Sequence, residues 1–187
     1  MAKLRSGRSN SREKILDAAA HLVSDIGAGR LTLDAVAHRA GVSKGGLLYN
    51  FPSKSALLQG MVRRIVDEVG AEKDQLRSTI PEGPNAEARL VVTVLLNMRS
   101  SKTKDLASGI LAASAEDPEL LAPVRDIVRQ TFEDLKSSSD DLDAALIGWL
   151  AVEGLSSFEL HDFSPFTEQD RKRIISAVDR LLRNGKV

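Results

Sequence analysis

Apolar side chains recur at intervals of three and four residues along most of the chain. This spacing is typical of helices that bury one face, and no sustained alternation of apolar and polar residues predicts a strand. The breaks between the periodic segments are marked by Gly, Pro and Ser. The pattern predicts an all-α fold of about nine helices, three of them short and lying between residues 10 and 51.

Two of the short helices are spaced as a helix-turn-helix. The second helix is predicted over Leu33 to Ala40 and the third over Lys44 to Asn50, with three residues between them. Thr32 and Ser43 are good N-caps, because their hydroxyls accept hydrogen bonds from the first turn. Gly41 can adopt a positive φ at the corner without steric cost. Two short helices joined in this way typically present the second one to DNA.

The outward face of the third helix carries groups that read DNA. It presents Lys44, Gly45, Gly46, Tyr49 and Asn50. A lysine reaches guanine acceptors or phosphate, and an asparagine pairs with adenine. The alternative for Tyr49 is packing between helices, and the neighbouring Leu47, Leu48 and Phe51 are more typical of a core.

The charge of the chain is divided between its two parts. The total is zero, but the stretch from Met1 to Arg64 has eleven Lys and Arg against four Asp and Glu, a net charge of +7, and the remainder carries −7. A basic end on an acidic body suggests contact with a polyanion, although chance segregation on a solvated surface is the alternative.

Several classes of protein are excluded by composition. The chain has no Cys, which excludes disulfides, thiolate nucleophiles and cysteine-ligated metals. No apolar run is long enough to span a membrane, and no secretory signal is recognised. We therefore expect a cytoplasmic protein with no membrane partner and no cofactor.

The helix-turn-helix segment and the residues on either side of it resemble the pattern of a known family. The residues concerned are Arg12, Ile15, Leu16, Ala18, Ala19, Gly27, Thr32-Leu33-Asp34-Ala35-Val36-Ala37, Ala40-Gly41-Val42-Ser43-Lys44-Gly45, Tyr49-Asn50-Phe51 and Ser53-Lys54. Over residues 12 to 58 this pattern resembles the TetR (tetracycline-repressor-like) family of bacterial regulators. The resemblance implies an N-terminal DNA-binding domain over 1–52, with a basic tail over 1–10, and a helical effector-binding and dimerisation domain over 53–187. It further implies a homodimeric repressor that a small molecule releases from a palindromic operator in double-stranded DNA.

The resemblance also assigns DNA contacts by position. Thr32, Ser43, Tyr49 and Lys54 match phosphate-contacting positions, and Lys44, Gly45, Gly46 and Asn50 match positions at base edges. Three positions depart from the family pattern. Leu48 stands where an aromatic residue is common, Gly46 where a small hydroxyl residue is common, and Asn50 where His is common. The operator sequence therefore does not follow from these residues.

The last two predicted helices are candidates for a dimer interface. They cover about residues 142–158 and 167–182, and two such helices from each subunit would form an isologous four-helix bundle. The alternative is that they close the core of their own subunit. The candidate interface residues are Leu142, Leu146, Trp149, Ile174, Val178 and Leu181.

The middle helices are candidates for an effector pocket. Their mixed apolar faces suggest a largely apolar effector, although core packing is the alternative at every apolar site. The candidate lining residues are Asn97, Met98, Arg99, Ile110, Val128, Phe132, Glu153 and Phe158.

Two other functions remain as alternatives. A nonspecific architectural DNA-binding protein would bind by charge alone. A metal-dependent helical enzyme is the weaker alternative. It would use Asp17, His21 and Asp25 on one face of the first helix, a pattern more typical of a solvated surface. Arg5, Arg8 and Arg12 are either a DNA-contacting arm or a solubilising tail.

Overall fold

The computed structural model describes the backbone of residues 2–98 and 101–184, and the side chains of residues 10–98 and 107–184. Within these ranges the chain is helical and has no strand, which confirms the all-α prediction. Among the described helices, none combines the length and the hydrophobicity that a membrane span requires. The helices are α1 (Ala2–Ile26), α2 (Leu33–Ala40), α3 (Lys44–Asn50), α4 (Lys54–Arg77), α5 (Ala86–Asn97), α6 (Ser101–Ser114), α7 (Ala122–Ser138), α8 (Leu142–Leu160) and α9 (Glu168–Asn184), with single 3-10 turns at Ala28–Arg30 and Pro118–Leu121.

The first helix begins earlier than the apolar pattern indicates. It starts at Ala2 and so includes the predicted basic tail. No proline lies in this stretch, and a helix continues through polar residues as long as nothing breaks it. The side chains of Arg5 and Arg8 lie outside the described residues, so their contact with DNA stays a prediction.

The chain forms two compact units. The first comprises Met1–Val66 and Lys102–Val124, and the second comprises Asp67–Ser101 and Arg125–Val187. The predicted boundary lies at residue 52, whereas the first unit also takes in the first half of α4 and most of α6. The reason is burial, because Leu57, Met61 and Ile110 all enter the core of the first unit. Helices that are distant in the sequence therefore complete the N-terminal unit.

Phe51 and Gly60 fix the position of α3 in the core of the first unit. Phe51 follows α3, is 3% exposed, and its backbone N–H donates to Leu47 O at 2.8 Å. A methyl group added at Gly60 on α4 would lie 2.5 Å from Cε1 of the Phe51 ring. The absence of a side chain at residue 60 therefore allows the ring to lie directly against α4.

We expect Gly60→Ala to destabilise the first unit by about 1 kcal/mol, because the crowding of a packed ring outweighs the higher helix propensity of alanine. Gly70→Ala in the same helix is the matched control. Nothing lies within 4 Å of the added methyl group there, so stability should rise by about 0.5–1 kcal/mol. Urea unfolding followed by circular dichroism measures both effects. A stabilising Gly60→Ala would show that the ring moves aside without cost.

The second unit is built on α8, which packs closely against α5 and α9. Gly148 makes the α8–α9 approach close, since a methyl group there would lie 3.0 Å from Leu182 Cδ2. Asn85 is the N-cap residue before α5; it adopts the left-handed conformation, with φ at 50°, and is fully buried. Its Nδ2 donates to Leu182 O at 3.1 Å, and its Oδ1 accepts from the Asp141 N–H at 3.0 Å. This single amide therefore ties the starts of α5 and α8 to the end of α9.

A charge network holds the second half of α4 to its neighbours in this unit. Lys73 Nζ lies 2.7 Å from Glu87 Oε1 and 3.0 Å from Asp134 Oδ2, and Arg77 lies 2.8 Å from Glu87 Oε2. Burial alone would raise the pKa of Glu87, but the hydrogen bonds from Arg77 and Lys73 outweigh it and hold that pKa below its ordinary value. The network thus stabilises the unit above the ordinary carboxyl pKa and loses that contribution in acid.

Candidate nucleic-acid interface

Hydrogen bonds at three positions shape the segment from α2 to α3. Thr32 Oγ1 accepts from the Ala35 N–H at 3.2 Å, and Ser43 Oγ accepts from the Gly46 N–H at 3.1 Å. Between the two helices Gly41 adopts φ +66°, and the Val42 N–H donates to Ala37 O at 3.0 Å. Both N-caps and the left-handed glycine are therefore where the sequence predicts them, and the segment has helix-turn-helix geometry.

The two sides of α3 differ in their surroundings. Leu47 is completely buried in the core of the first unit, whereas Tyr49 is 70% exposed. Gly45 has open space where a side chain would begin, so the backbone is accessible there. Gly46 is more confined, because a methyl group on it would lie 3.2 Å from Ser43 Oγ. The outward side of α3 therefore presents a phenol and a nearly bare backbone turn.

Lys44 has a partner across the turn. Its Nζ lies 2.9 Å from Asp34 Oδ1, and both side chains are largely exposed. An ion pair between exposed groups contributes about 0–1 kcal/mol, so exchanging the carboxylate for phosphate or a base edge costs little. The pair therefore positions Lys44 without preventing it from contacting DNA.

The side-chain amide of Asn50 already forms one hydrogen bond within α3. Its Nδ2 donates to Gly46 O at 2.9 Å, and the residue is half-buried. The amide group has a second N–H and a carbonyl oxygen with acceptor capacity. Reading a base is compatible with this hydrogen bond, and the bond restrains the side-chain rotamer.

Lys54, in the first turn of α4, contacts a part of the chain that the sequence did not indicate. Its Nζ donates to Gly29 O at 2.8 Å. In the same turn Ser55 Oγ donates to Asp117 Oδ2 at 2.5 Å. Both residues border an open cavity of about 270 Å³ in the first unit. Gly29 and Asp117 are both far from α4 in sequence, so no local signal predicts these contacts.

The acidic residues of the alternative metal site on α1 have basic partners instead. Asp17 Oδ1 lies 2.6 Å from Arg64, and Asp25 Oδ2 lies 3.1 Å from Arg39. Among the residues with described side chains, no group of three or more metal-ligating side chains is assembled. These carboxylates therefore act as ion-pair partners for basic residues of the first unit.

The dimer candidates divide between core and surface. Trp149 and Val178 are 8% and 5% exposed and belong to the core of the second unit. Leu142, Leu146, Ile174 and Leu181 are half-buried. The outward apolar face of α8 is formed by residues that sequence analysis did not select. Ile147 is 46% exposed, Leu150 is 62% exposed, and Gly154 has open space beside it.

The effector-pocket candidates are spread over several environments. Ile110 is buried in the core of the first unit, which makes it a core residue. Phe158 packs edge-on against Phe163 and Phe166, with ring centroids 5.5 and 5.8 Å away. Arg99 lies outside the described residues, and Met98 is the C-cap residue that follows α5.

The remaining candidates all lie in the second unit. Asn97 is exposed, and its Nδ2 donates to Glu72 Oε1 at 3.0 Å. Val128 and Phe132 lie on α7 and are 44% and 37% exposed. Glu153 is half-buried and accepts a hydrogen bond from the Trp149 indole at 3.3 Å. A ligand site formed by these residues stays a prediction.

Comparison with known proteins agrees with this geometry. The family model for bacterial regulatory proteins of the tetR family matches residues 15–61. A second model, for the tetracyclin repressor-like C-terminal domain, matches residues 85–183. A transcriptional regulator from Streptomyces coelicolor A3(2) has the same fold, with a TM-score of 0.70 and 22% sequence identity over 92% of this chain and 98% of that chain.

Two relatives of known name are more similar in sequence. The HTH-type transcriptional regulator RutR of Escherichia coli O157:H7 is 32% identical over 76% of this chain and 63% of its own length. The nucleoid occlusion factor SlmA of Vibrio vulnificus (strain YJ016) is 33% identical over 71% of this chain and 66% of its own length. The matches thus span slightly less than two thirds of these relatives. Since the C-terminal model alone matches more than half of the chain and the N-terminal model matches the helix-turn-helix, the chain belongs to the TetR family of bacterial regulatory proteins.

Proposed function

We propose that this chain is a homodimeric, sequence-specific DNA-binding regulator that represses transcription and leaves a palindromic operator when a small molecule binds to its second unit. The observation that carries the proposal is the presentation of α3. Its buried Leu47 anchors the helix, while Lys44 and Tyr49 project from the surface. The stretch from Met1 to Arg64 also carries a net charge of +7, which favours phosphate.

The proposed DNA contacts are those that the resemblance to the TetR family assigns by position, and the exposure of Lys44 and Tyr49 supports them. Lys54 and Tyr49 contact phosphates on either side of the groove, and Thr32 and Ser43 place the first turns of α2 and α3 at the backbone. Lys44, Asn50 and the bare backbone of Gly45 and Gly46 lie at base edges. Phosphate contacts position a protein, and base contacts specify the sequence.

The proposed dimer uses the outward face of α8. An apolar stripe of Ile147, Leu150 and Gly154 lies on one side of this helix, and the small Gly154 permits close approach of a second helix. A two-fold axis brings the same stripe of each subunit together. Such a dimer suits a DNA reader, because two recognition helices about 34–36 Å apart enter successive major grooves.

The proposed effector site lies in the second unit. The apolar side chains of Val128 and Phe132 are incompletely covered, which suits a largely apolar ligand. One structural relative is described as a multidrug binding protein, EbrR, complexed with imidazole. The proposal includes no catalytic step and no cofactor.

Selection of genomic DNA fragments by the purified protein at about 0.15 M salt tests the function, since electrostatic binding alone weakens steeply with salt. We expect a short palindrome, recovered upstream of a small number of genes. Recovery of unrelated fragments, with binding that disappears as salt rises, would favour an architectural DNA-binding protein instead. The genomic positions of the recovered fragments are a further result of this experiment, because the Vibrio relative is named as a nucleoid occlusion factor and not as a transcriptional regulator.

We expect Asn50→Ala to relax the preference at one base pair of each half-site by about 1–3 kcal/mol, because a base-edge hydrogen bond is lost. Lys54→Ala is the matched control. It should weaken binding to all sequences about equally and reduce the slope of log affinity against log salt by about 1. Fluorescence anisotropy with the selected palindrome and single-base variants measures both. Unchanged sequence preference in Asn50→Ala would remove Asn50 from the base-reading set.

A further inference from the structure

The four acidic residues between Met1 and Arg64 all form ion pairs. Three of the pairs join residues of α1, α2 and α4, and they are Glu13 with Arg12, Asp17 with Arg64, and Asp25 with Arg39. The fourth pair joins Asp34 of α2 to Lys44, which is the first residue of α3. Asp34 is thus the acid that is paired with a residue of the proposed DNA-reading helix.

The pair between Asp34 and Lys44 spans the turn and stays accessible. Lys44 Nζ lies 2.9 Å from Asp34 Oδ1 and 3.2 Å from Asp34 Oδ2, so the ammonium group contacts both carboxylate oxygens. The left-handed Gly41 reverses the chain between the two helices and brings these residues within reach. The side chains of Lys44 and Asp34 are 63% and 69% exposed. A group that approaches Lys44 from solvent therefore meets the ammonium together with its carboxylate.

The carboxylate changes what Lys44 offers to DNA. An ammonium group has three N–H donors, and the two carboxylate oxygens occupy at most two of them. At least one donor is left for an acceptor such as guanine O6 or N7 in the major groove. The charge of Lys44, by contrast, is balanced by Asp34, and charge is what drives sequence-independent binding to phosphate. The pair therefore keeps a directional donor while it reduces the nonspecific attraction.

We propose that Asp34 is a positioning residue that gives Lys44 its sequence specificity, by withholding the ammonium group from phosphates and directing its remaining N–H to a base edge. The inference rests on the proposed function, and it adds a residue that the family resemblance does not assign to DNA recognition. On unrelated DNA, a phosphate contact by Lys44 leaves the Asp34 carboxylate without its cation beside a polyanion, so the contact gains little. On the operator, Lys44 contacts the base and keeps its carboxylate.

The variant Asp34→Asn keeps the shape of the side chain and removes its charge. We expect it to tighten binding to an unrelated duplex, because Lys44 is then free to contact phosphate. One added phosphate contact steepens the slope of log affinity against log salt by about 1, which is a gain of about 5-fold at 0.15 M salt and about 15-fold at 0.05 M relative to 1 M. Fluorescence anisotropy across this salt range measures the change. An unchanged affinity and slope would overturn the proposal.

Base preference is the second measurement, and it separates the positioning of Lys44 from a simple change of charge. Lys44→Ala first identifies the base pair of the selected operator that this lysine reads, because single-base variants at that position then bind about as well as the operator. Asp34→Asn should weaken the preference at the same base pair by about 3- to 10-fold, a part of a full base contact, and leave the preference at the other base pairs unchanged. A preference that persists at full strength contradicts the proposal.

Asp25→Asn is the matched control. Asp25 belongs to a similarly exposed ion pair of the same unit, 3.1 Å from Arg39, and its substitution changes the net charge by the same amount. We expect it to change binding to operator and unrelated DNA by the same factor. If it relaxes the preference at the base pair of Lys44, a general charge effect explains the data and the proposal fails. An equal loss of binding to both duplexes in Asp34→Asn indicates a structural role for Asp34 and also overturns the proposal.

A failure of this inference is distinguishable from a failure of the proposed function. The unsubstituted protein tests the function, since a sequence-specific regulator must prefer the selected operator to an unrelated duplex. If it shows no such preference, the proposed function fails, and the inference fails with it. If it prefers the operator and Asp34→Asn retains the same preference, the regulator stands and its specificity does not depend on Asp34.

Discussion

Leu150→Glu is expected to convert the dimer into a monomer and to lower operator affinity by about 10²–10⁴-fold, because the DNA-binding units of the two subunits then bind separately. Leu150 is 62% exposed on α8, so the substitution does not disturb the core of its own subunit. Across a two-fold axis it places two like charges in a desolvated contact, each without a partner. Analytical ultracentrifugation and anisotropy with operator DNA measure the two effects.

Val128→Glu is the matched control for the dimer prediction. It introduces the same charge at another exposed apolar position of the second unit, on α7, and should leave the protein dimeric. A dimeric Leu150→Glu protein would show that the subunits meet through another surface. A monomeric Val128→Glu protein would move the interface to α7.

Phe51→Ala is expected to remove about 3–5 kcal/mol from the stability of the first unit, the typical cost of deleting a buried aromatic side chain. The ring is 3% exposed, lies against Gly60, and has the Arg12 guanidinium carbon 5.3 Å from its centroid. This loss is a large share of the stability of an ordinary domain, so DNA binding should decline with the folded population. Urea unfolding and anisotropy with operator DNA measure both.

Tyr49→Ala is the control from the same segment of the chain. Its ring is 70% exposed, so stability should change by less than about 0.5 kcal/mol while DNA affinity falls.

The Phe51→Leu background gives a further test, because the shorter side chain leaves room at residue 60. There Gly60→Ala should cost less than it does beside phenylalanine, so in a double-mutant cycle the two substitutions together destabilise by less than the sum of their separate effects. Additive effects would contradict the contact between this ring and α4.

The helix-turn-helix could be predicted almost to the residue from sequence. Thr32 and Ser43 satisfy N–H groups in the first turns of their own helices, and Gly41 adopts the left-handed conformation that its own chemistry allows. These are local interactions, so a single sequence is enough to predict them. The extra length of α1 and the assignment of α6 to the first unit were not predicted. They depend on the absence of a break and on burial against distant helices.

The faces of α8 show where sequence reasoning reaches its limit. Apolar residues surround this helix on almost every side, so its periodicity does not distinguish an inward face from an outward one. Trp149 and Leu150 are neighbours in sequence, yet one is in the core and the other is 62% exposed. The packing of α5 and α9 decides which side is covered. For this reason the candidate interface residues include two core residues and omit Leu150.

The sequence by itself thus determined the all-α fold, the recognition segment, the basic N-terminal part and the family resemblance. Each depends on local chemistry or on composition, and neither requires knowledge of tertiary contacts. The tertiary structure decided which partner each polar group has and which apolar groups stay exposed. Lys54 donates to Gly29 O, 25 residues away in the sequence, because the start of α4 lies beside the 3-10 turn at Ala28–Arg30. Burial is a property of the assembled helices, so only their packing could determine it.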